Sequence, residues 1–127
     1  MSRRRRGVCD DERVTNDLDS IEWLTLQDAA EQLGVPPGKV RRLVEDRALL
    51  ARKRGGELRI PARFIRDGEP LPGLRGTVIL LLDSGFEEGE ALEWLFAEDD
   101  GLGLAPVAAL EQGLKTRVRH AVQLLGR

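Results

Sequence analysis

Apolar residues recur with helical spacing in the first patterned part of the chain. In LQDAAEQL (residues 26–33) they stand at i, i+3, i+4 and i+7, so they form one stripe along a helix. Thr25 precedes the stripe and offers a capping hydroxyl, and Gly34 follows it as a residue that readily becomes left-handed. The pattern predicts a short first helix between these two residues.

A second helical stripe follows after a short break. Val40, Leu43 and Val44 share one face, and Pro37 suits the first position of a helix. The pattern therefore predicts a second helix from Pro37 to about Arg47. Two short helices joined by a tight turn are typical of a helix-turn-helix.

The pattern then changes to the period of a β-strand. In LLARKRGGELRIP (residues 49–61), Leu58 and Ile60 alternate with polar neighbours, and Gly55 and Gly56 can adopt the positive φ angles of a two-residue turn. This stretch predicts a β-hairpin with a glycine tip. A hairpin directly after two helices is the order of elements in a winged helix-turn-helix.

The second half of the chain is again helical in pattern. Residues 74–83 predict a largely buried helix, and residues 87–96 predict a helix with glutamates in its first turns and apolar residues after them. Pro106 can start a last helix, which we expect to continue with a bend at Gly113 toward Leu125.

Three domains are predicted from these patterns. Residues 1–20 are polar and lack apolar periodicity, so we expect a disordered N-terminal tail. Residues 21–66 form the winged helix-turn-helix domain, and residues 67–127, which begin with a turn-rich connection, form an acidic C-terminal helical domain. The expected fold class is mainly α: a winged helix-turn-helix with a small β-hairpin wing, followed by a C-terminal helical bundle. The 127 residues include three Phe, two Trp and no Tyr, so the core must rest on Leu, Val and Ala, which favours helices.

Charge is segregated along the chain, although the formal net value is only -2. Residues 36–66 carry ten basic and three acidic side chains, whereas residues 67–112 carry one basic and eleven acidic ones. The last fifteen residues add four basic side chains and no acidic one. A basic module therefore lies beside an acidic one, and the basic module favours an anionic partner such as nucleic acid.

These observations predict that residues 21–66 bind double-stranded DNA. The second helix fits the major groove, where Arg41 and Arg42 are the first choice for contacts to bases, with Lys39 and Arg47 on phosphates. The cationic hairpin tip can follow the DNA backbone or enter the minor groove. The candidate DNA contacts are Lys39, Arg41, Arg42, Arg47, Arg52, Lys53, Arg54 and Arg59. The alternative is an ordinary solvated basic face, or a helix-turn-helix that serves as a protein-binding scaffold.

The order of motifs also resembles known families. TLQDAAEQLGVPPGKVRRLVEDRALLARKRGGELRIPARFI (residues 25–65) is similar to the helix-turn-helix and wing of the MerR-like and excisionase-like class. With LPGL at residues 71–74 and WLF at residues 94–96, the chain resembles more closely an actinobacterial family of small winged-helix DNA-binding proteins that are substrates of a membrane Ser/Thr protein kinase. This resemblance implies DNA binding by Arg41, Arg42 and the wing, and regulation by phosphorylation.

A Ser/Thr protein kinase is thereby a candidate partner, and Thr15 is the candidate phosphorylation site because it is the only threonine of the tail. A phosphate there adds negative charge, which can compete with DNA for the basic face or repel DNA directly. The alternative is an unmodified polar residue.

The C-terminal half carries a second resemblance. WLFAEDDGLGLAPVAALEQGLKTRVRHAVQLL (residues 94–125) is similar to the partner-binding domain of bacterial Xre/MbcA/ParS-type antitoxins. It implies an alternative function, an antitoxin-like or adaptor protein whose helical C-terminal half binds a protein partner, although a plain helical core explains the same apolar positions. Since an acidic half does not favour DNA, we expect a homodimer contact or a protein partner there.

Groups for catalysis are sparse. His120 is the only histidine and lies in a cationic helix, and Cys9 is the only cysteine and lies in the tail, so neither has a partner that would make it a nucleophile or base. The acidic clusters near residues 87–90 and 98–100 suit a helix N-terminus and a solvated loop as well as they suit a metal. The sequence therefore predicts no enzymatic activity, cofactor or metal site, no membrane contact, and a cytoplasmic, nucleoid-associated protein.

Overall fold

A computed structural model describes residue 18 and residues 21–125 of the chain. The candidate phosphorylation site Thr15, Cys9 and nearly all of the predicted disordered tail lie outside these residues. In chain order the helices and strands are β1 (Trp23–Thr25), α1 (Leu26–Leu33), α2 (Pro37–Glu45), β2 (Arg52–Arg54), β3 (Glu57–Pro61), β4 (Ile65–Arg66), β5 (Glu69–Pro70), α3 (Leu74–Asp83), α4 (Glu88–Phe96), α5 (Pro106–Glu111) and α6 (Lys115–Gln123).

The helix-turn-helix forms where its caps predict it. The Thr25 hydroxyl accepts a hydrogen bond from the Asp28 amide at 3.0 Å, which satisfies one free amide at the start of α1. At the other end Gly34 has φ +71°, and its amide donates to the Ala30 carbonyl at 2.8 Å. The tight turn to α2 follows at once, and the fully buried Val40 fixes α2 against α1.

The wing belongs to a three-stranded sheet rather than to a free hairpin. The antiparallel strand order is β1-β3-β2, with Gly55 and Gly56 at φ +63° and +85° in the β2–β3 turn. Strand β1 places Leu24 opposite Ile60, and both side chains are buried. Sequence periodicity did not predict β1 because a three-residue strand is too short to show an alternation. It ties the wing to the start of the helix-turn-helix.

Two details differ from the sequence-based expectation. The connection at residues 67–73 supplies the turn and the second strand of the short hairpin β4–β5, with Asp67 and Gly68 at positive φ in the turn. The single last helix expected from Pro106 is wrong, because two helices, α5 and α6, meet at Gly113, where φ is +82° and no α-helix can continue. In the described residues no helix is long and apolar enough to cross a membrane.

The glutamates at the start of α4 cap the N-terminus of the helix. The Glu87 amide donates a hydrogen bond to Glu90 Oε1 at 2.9 Å, and the Glu87 carboxylate accepts one from the Glu90 amide, which completes a capping box. Farther along, the Asp99 carboxylate accepts the Leu102 amide at 3.1 Å. These contacts account for acidic residues that sequence analysis had weighed as metal ligands.

One continuous hydrophobic core joins the two halves of the chain. It runs from Val40 and Ile60 in the winged helix-turn-helix to Leu92 and Val118 in the C-terminal helices, and Leu18, which lies in the predicted tail, is buried in it. At the junction the ring of the fully buried Phe64 lies 5.5 Å from the ring of Phe96 on α4. The C-terminal helices are therefore held against the winged helix-turn-helix by packing.

Replacing Phe64 by Ala is expected to lower the free energy of unfolding by about 3–5 kcal/mol, because it empties the junction of the shared core. A double-mutant cycle of Phe64→Ala and Phe96→Ala, followed by urea unfolding, should give a coupling of about 0.5–1.5 kcal/mol. Leu124→Ala is the control, since Leu124 is 75% exposed. Two separate unfolding transitions, with only one moved by Phe64→Ala, would contradict a shared core.

Candidate nucleic-acid interface

Helix α2 presents a basic outer surface because its inner surface is fixed by packing. Val40 is fully buried and Leu43 and Val44 are half-buried, whereas Lys39, Arg41 and Arg42 are exposed. With 100° per residue, Arg42 lies nearly opposite Val40, and Arg41 lies on the flank. Arg42 therefore occupies the position that projects farthest from the protein.

Arg41 and the wing line a shared cleft. The cleft between α2 and the β2–β3 hairpin is lined by side chains from both elements, among them Pro37, Arg41, Lys53 and Leu58, and by Glu57, which pairs with Arg59. Arg41 and Lys53 thus approach the same space from two sides, and both are exposed. A cleft with a cation on each wall suits one strand of a nucleic acid backbone, since each cation can meet a phosphate.

The other wing cations are held by neighbours within the winged helix-turn-helix. The Arg54 guanidinium lies 4.8 Å from the centre of the Trp23 ring, a cation–π contact that keeps it on β1. The Trp23 indole N–H donates to the Leu18 carbonyl at 2.8 Å, so the chain at residue 18 is tied to the same place. Arg59 pairs with Glu57 at 3.2 Å, and within the described structure its Nε is buried without a hydrogen-bond partner.

Arg47 and Arg52 point toward the acidic half of the molecule. Arg47 forms an ion pair with Glu88 of α4, and Arg52 Nη2 lies 3.7 Å from Glu93 of the same helix. Arg47 has φ +69°, a left-handed angle that usually selects glycine, in the turn that ends α2. Arg47 and Arg52, on the side of the basic module that faces α4, therefore have their charges paired within the chain.

Three further arginines form hydrogen bonds between the winged helix-turn-helix and the C-terminal half. Arg63 donates two hydrogen bonds to the Glu111 carboxylate, one from Nε at 2.9 Å, and this pairing raises the pKa of the Arg63 guanidinium above its ordinary value. Arg66 donates to the Glu111 carbonyl. Arg75 of α3 donates from Nε to the Asp46 carbonyl at 3.0 Å, just beyond the end of α2.

The eight cations predicted as DNA contacts thus divide into two groups. Lys39, Arg41, Arg42 and Lys53 are exposed, and the side chain of none of them forms an ion pair or hydrogen bond with another described residue; we call them the free basic face. The other four, Arg47, Arg52, Arg54 and Arg59, are held by Glu88, Glu93, Trp23 and Glu57. Sequence reasoning missed these pairings. The opposite charges of residues 36–66 and 67–112 were a signal only for the pairs of Arg47 and Arg52.

Comparison with known proteins finds two matching family models. Residues 14–65 match the model described as "DNA-binding protein Rv2175c, wHTH domain", and residues 71–126 match "Rv2175c C-terminal domain of unknown function". The winged helix-turn-helix fold followed by a C-terminal helical domain, predicted from the sequence, is thereby confirmed.

Individual proteins agree with these models. The DNA-binding protein Rv2175c of Mycobacterium tuberculosis (strain ATCC 25618 / H37Rv) is 33% identical over 96 residues, an alignment that covers 75% of this chain and 60% of that protein. The solved NMR structure of Rv2175c superimposes with a TM-score of 0.76 at 27% sequence identity, covering 93% of this chain and 87% of that chain. The actinobacterial family resemblance of the sequence is confirmed.

Proposed function

Because the chain belongs to the Rv2175c family, whose winged helix-turn-helix domain and C-terminal domain it carries in order, we propose that it binds double-stranded DNA through the free basic face. One observation carries this proposal. Four exposed cations on α2 and the wing lack a partner among the described residues, although eleven acidic side chains lie in residues 67–112. Cations left without a carboxylate beside so many carboxylates suit an external polyanion.

In the proposed complex α2 enters the major groove. Arg42 projects farthest from the protein and contacts base edges, Arg41 and Lys53 hold a phosphate strand in the cleft that they line, and Lys39 contacts the opposite phosphate strand. Gly38 lies on the exposed surface of α2 beside Arg42, and no atom lies within 4 Å of where its side chain would be, so DNA can approach the backbone there. Binding of this kind fits a transcriptional regulator.

The double substitution of Arg41 and Arg42 by Ala is expected to weaken binding to a fluorescein-labelled duplex without lowering thermal stability, since both side chains are exposed. For the parent chain, the phosphate contacts of Lys39, Arg41 and Lys53 give a slope of log K against log salt of about -2.7, and the double variant should lose about 0.9 of it through Arg41, together with the base contact of Arg42. Fluorescence anisotropy at several salt concentrations measures both quantities. The charge control is Arg117→Ala on α6, and equal weakening by the control would contradict the assignment.

The C-terminal half also reduces the positive charge available to DNA, because Glu88 and Glu93 neutralise Arg47 and Arg52. The double substitution Glu88→Gln and Glu93→Gln is expected to raise DNA affinity. It should also steepen the salt slope by about 0.9 for each arginine that then meets a phosphate. Partly exposed ion pairs contribute only about 0.2–1 kcal/mol each, so the fold should persist. Glu98→Gln, at an exposed position that pairs with no described residue, is the control, and unchanged affinity in the double variant would refute this role of α4.

We also propose that phosphorylation of Thr15 by a Ser/Thr protein kinase weakens DNA binding. Leu18 is tied to Trp23, and Trp23 carries the wing cation Arg54. Since three residues span at most about 11 Å, a phosphate on Thr15 stays close enough to the wing to lower its positive potential.

The substitution Thr15→Glu tests this regulation, and it is expected to weaken duplex binding at about 0.1 M salt and to lose its effect at high salt, where charges are screened. Ser2→Glu is the matched control, because the same charge is placed thirteen residues farther from the tether. Equal effects of the two variants would mean that only net charge matters, and no effect of either would exclude the regulation.

A further inference from the structure

A second group of cations gathers on the C-terminal half, where α3 lies beside α6. Arg75, Lys115 and Arg119 are all exposed, and we call them the flanking basic patch. A methyl group on Gly76 would lie 3.9 Å from Arg119 Nη2, and one on Gly73 would lie 2.9 Å from Lys115 Cβ. These approaches place Lys115 and Arg119 directly against the first turn of α3, which also carries Arg75.

No side chain of the flanking basic patch forms an ion pair with a described carboxylate, although such pairs would stabilise the fold. Among the described residues Arg75 donates only to a backbone carbonyl, and Lys115 and Arg119 form no ion pair. Lys115 and Arg119 are four residues apart on one helix, a spacing at which like charges repel. Lys115 also occupies the first turn of α6, which has neither an acidic residue nor a side-chain cap, so it adds to the positive end of the helix dipole.

The patch is continuous with the end of the recognition helix α2. The carbonyl that Arg75 binds is that of Asp46, whose amide donates to the Arg42 carbonyl at 2.9 Å. The Asp46 carbonyl lies four residues, or about 6 Å along the helix axis, beyond the Arg42 carbonyl, so Arg75 Nε lies at the end of α2. Because Arg75 contacts the end of α2 directly, a DNA strand that passes the free basic face can reach the flanking basic patch beyond the exposed Glu45 and Asp46.

We propose that the C-terminal half is a second DNA-contacting surface, in which Arg119 and Lys115 bind phosphates that flank the site entered by α2. This inference rests on the proposed function of the winged helix-turn-helix and adds the domain of unknown function to the interface. Gly76 fits the same interpretation. It is an exposed glycine inside a helix, where glycine costs about 0.5–1 kcal/mol, and its missing side chain lets the Arg119 guanidinium lie close to the α3 backbone.

Helix α6 offers a matched control on its other side. Arg117 and Arg119 are two residues apart, so their side chains point about 160° away from each other. Arg117 lines a different cavity, together with His120, Leu124 and Leu125, whereas Arg119 lies against α3. Removing either arginine changes the net charge equally, but only Arg119 belongs to the flanking basic patch.

The test compares Arg119→Gln with Arg117→Gln in the full chain, using a fluorescein-labelled mixed-sequence duplex long enough to extend one helical turn on each side of the bound site. Arg119→Gln is expected to weaken binding about five-fold at 0.15 M salt and to make the salt slope about 0.9 less steep, the effect of one lost phosphate contact. Arg117→Gln should leave both quantities within error of the parent. Shortening the duplex to the central site should abolish the difference between the two variants.

The outcomes separate this inference from the proposed function. Equal effects of Arg119→Gln and Arg117→Gln overturn the flanking contact, because only overall charge would then matter. Parent-like binding by Arg119→Gln also overturns it, and would assign the patch to an acidic protein instead. If Arg41→Ala with Arg42→Ala weakens binding while Arg119→Gln does not, the winged helix-turn-helix interface stands and only the flanking contact is refuted. If neither variant weakens binding, the proposed function itself is refuted.

Discussion

Burial of Phe64 at the junction of the two halves is the constraint on which the rest of the molecule depends. Its ring is fully enclosed and packs on Phe96, so α4 cannot leave the winged helix-turn-helix without opening the core. Close-packed interiors transmit such constraints because they have few alternative arrangements. The position of α4 in turn decides which arginines of the basic module meet a carboxylate and which remain exposed.

The electrostatics follow from that packing. Glu88 and Glu93 reach the base of the wing and the end of α2, so they take Arg47 and Arg52 out of the exposed positive surface. Arg63 and Glu111 form a further pair behind the site, where a two-point contact fixes orientation more than a single one does. The acidic half thus pairs with arginines on the side of the basic module that faces α4. On the exposed side, Arg41 and Arg42 form no ion pair with a described residue.

Much of this arrangement could be predicted from the sequence because its signals are local. The caps Thr25 and Gly34 and the glycine pair in the wing each act within a few residues, and they predicted α1 and the β2–β3 turn. Strand β1 and the break at Gly113 were missed, since a three-residue strand shows no period and a glycine can bend or end a helix. The pairs of Arg47 and Arg52 join residues about forty positions apart, and only packing brings such residues together. The charge totals showed a basic module beside an acidic one but did not identify which residues pair.

The flanking basic patch bears on the limited DNA affinity that a single winged helix-turn-helix gains from its few phosphate contacts. Three phosphate contacts, from Lys39, Arg41 and Lys53, raise affinity only about 170-fold between 1 M and 0.15 M salt, a modest gain for one recognition helix. Two further contacts, from Lys115 and Arg119, extend that factor to about 5,000. The acidic C-terminal half therefore need not oppose DNA binding as its net charge suggests. Its carboxylates on α4 neutralise cations on the side of the basic module that faces this helix, while its cations on α3 and α6 continue the positive surface beyond the end of α2.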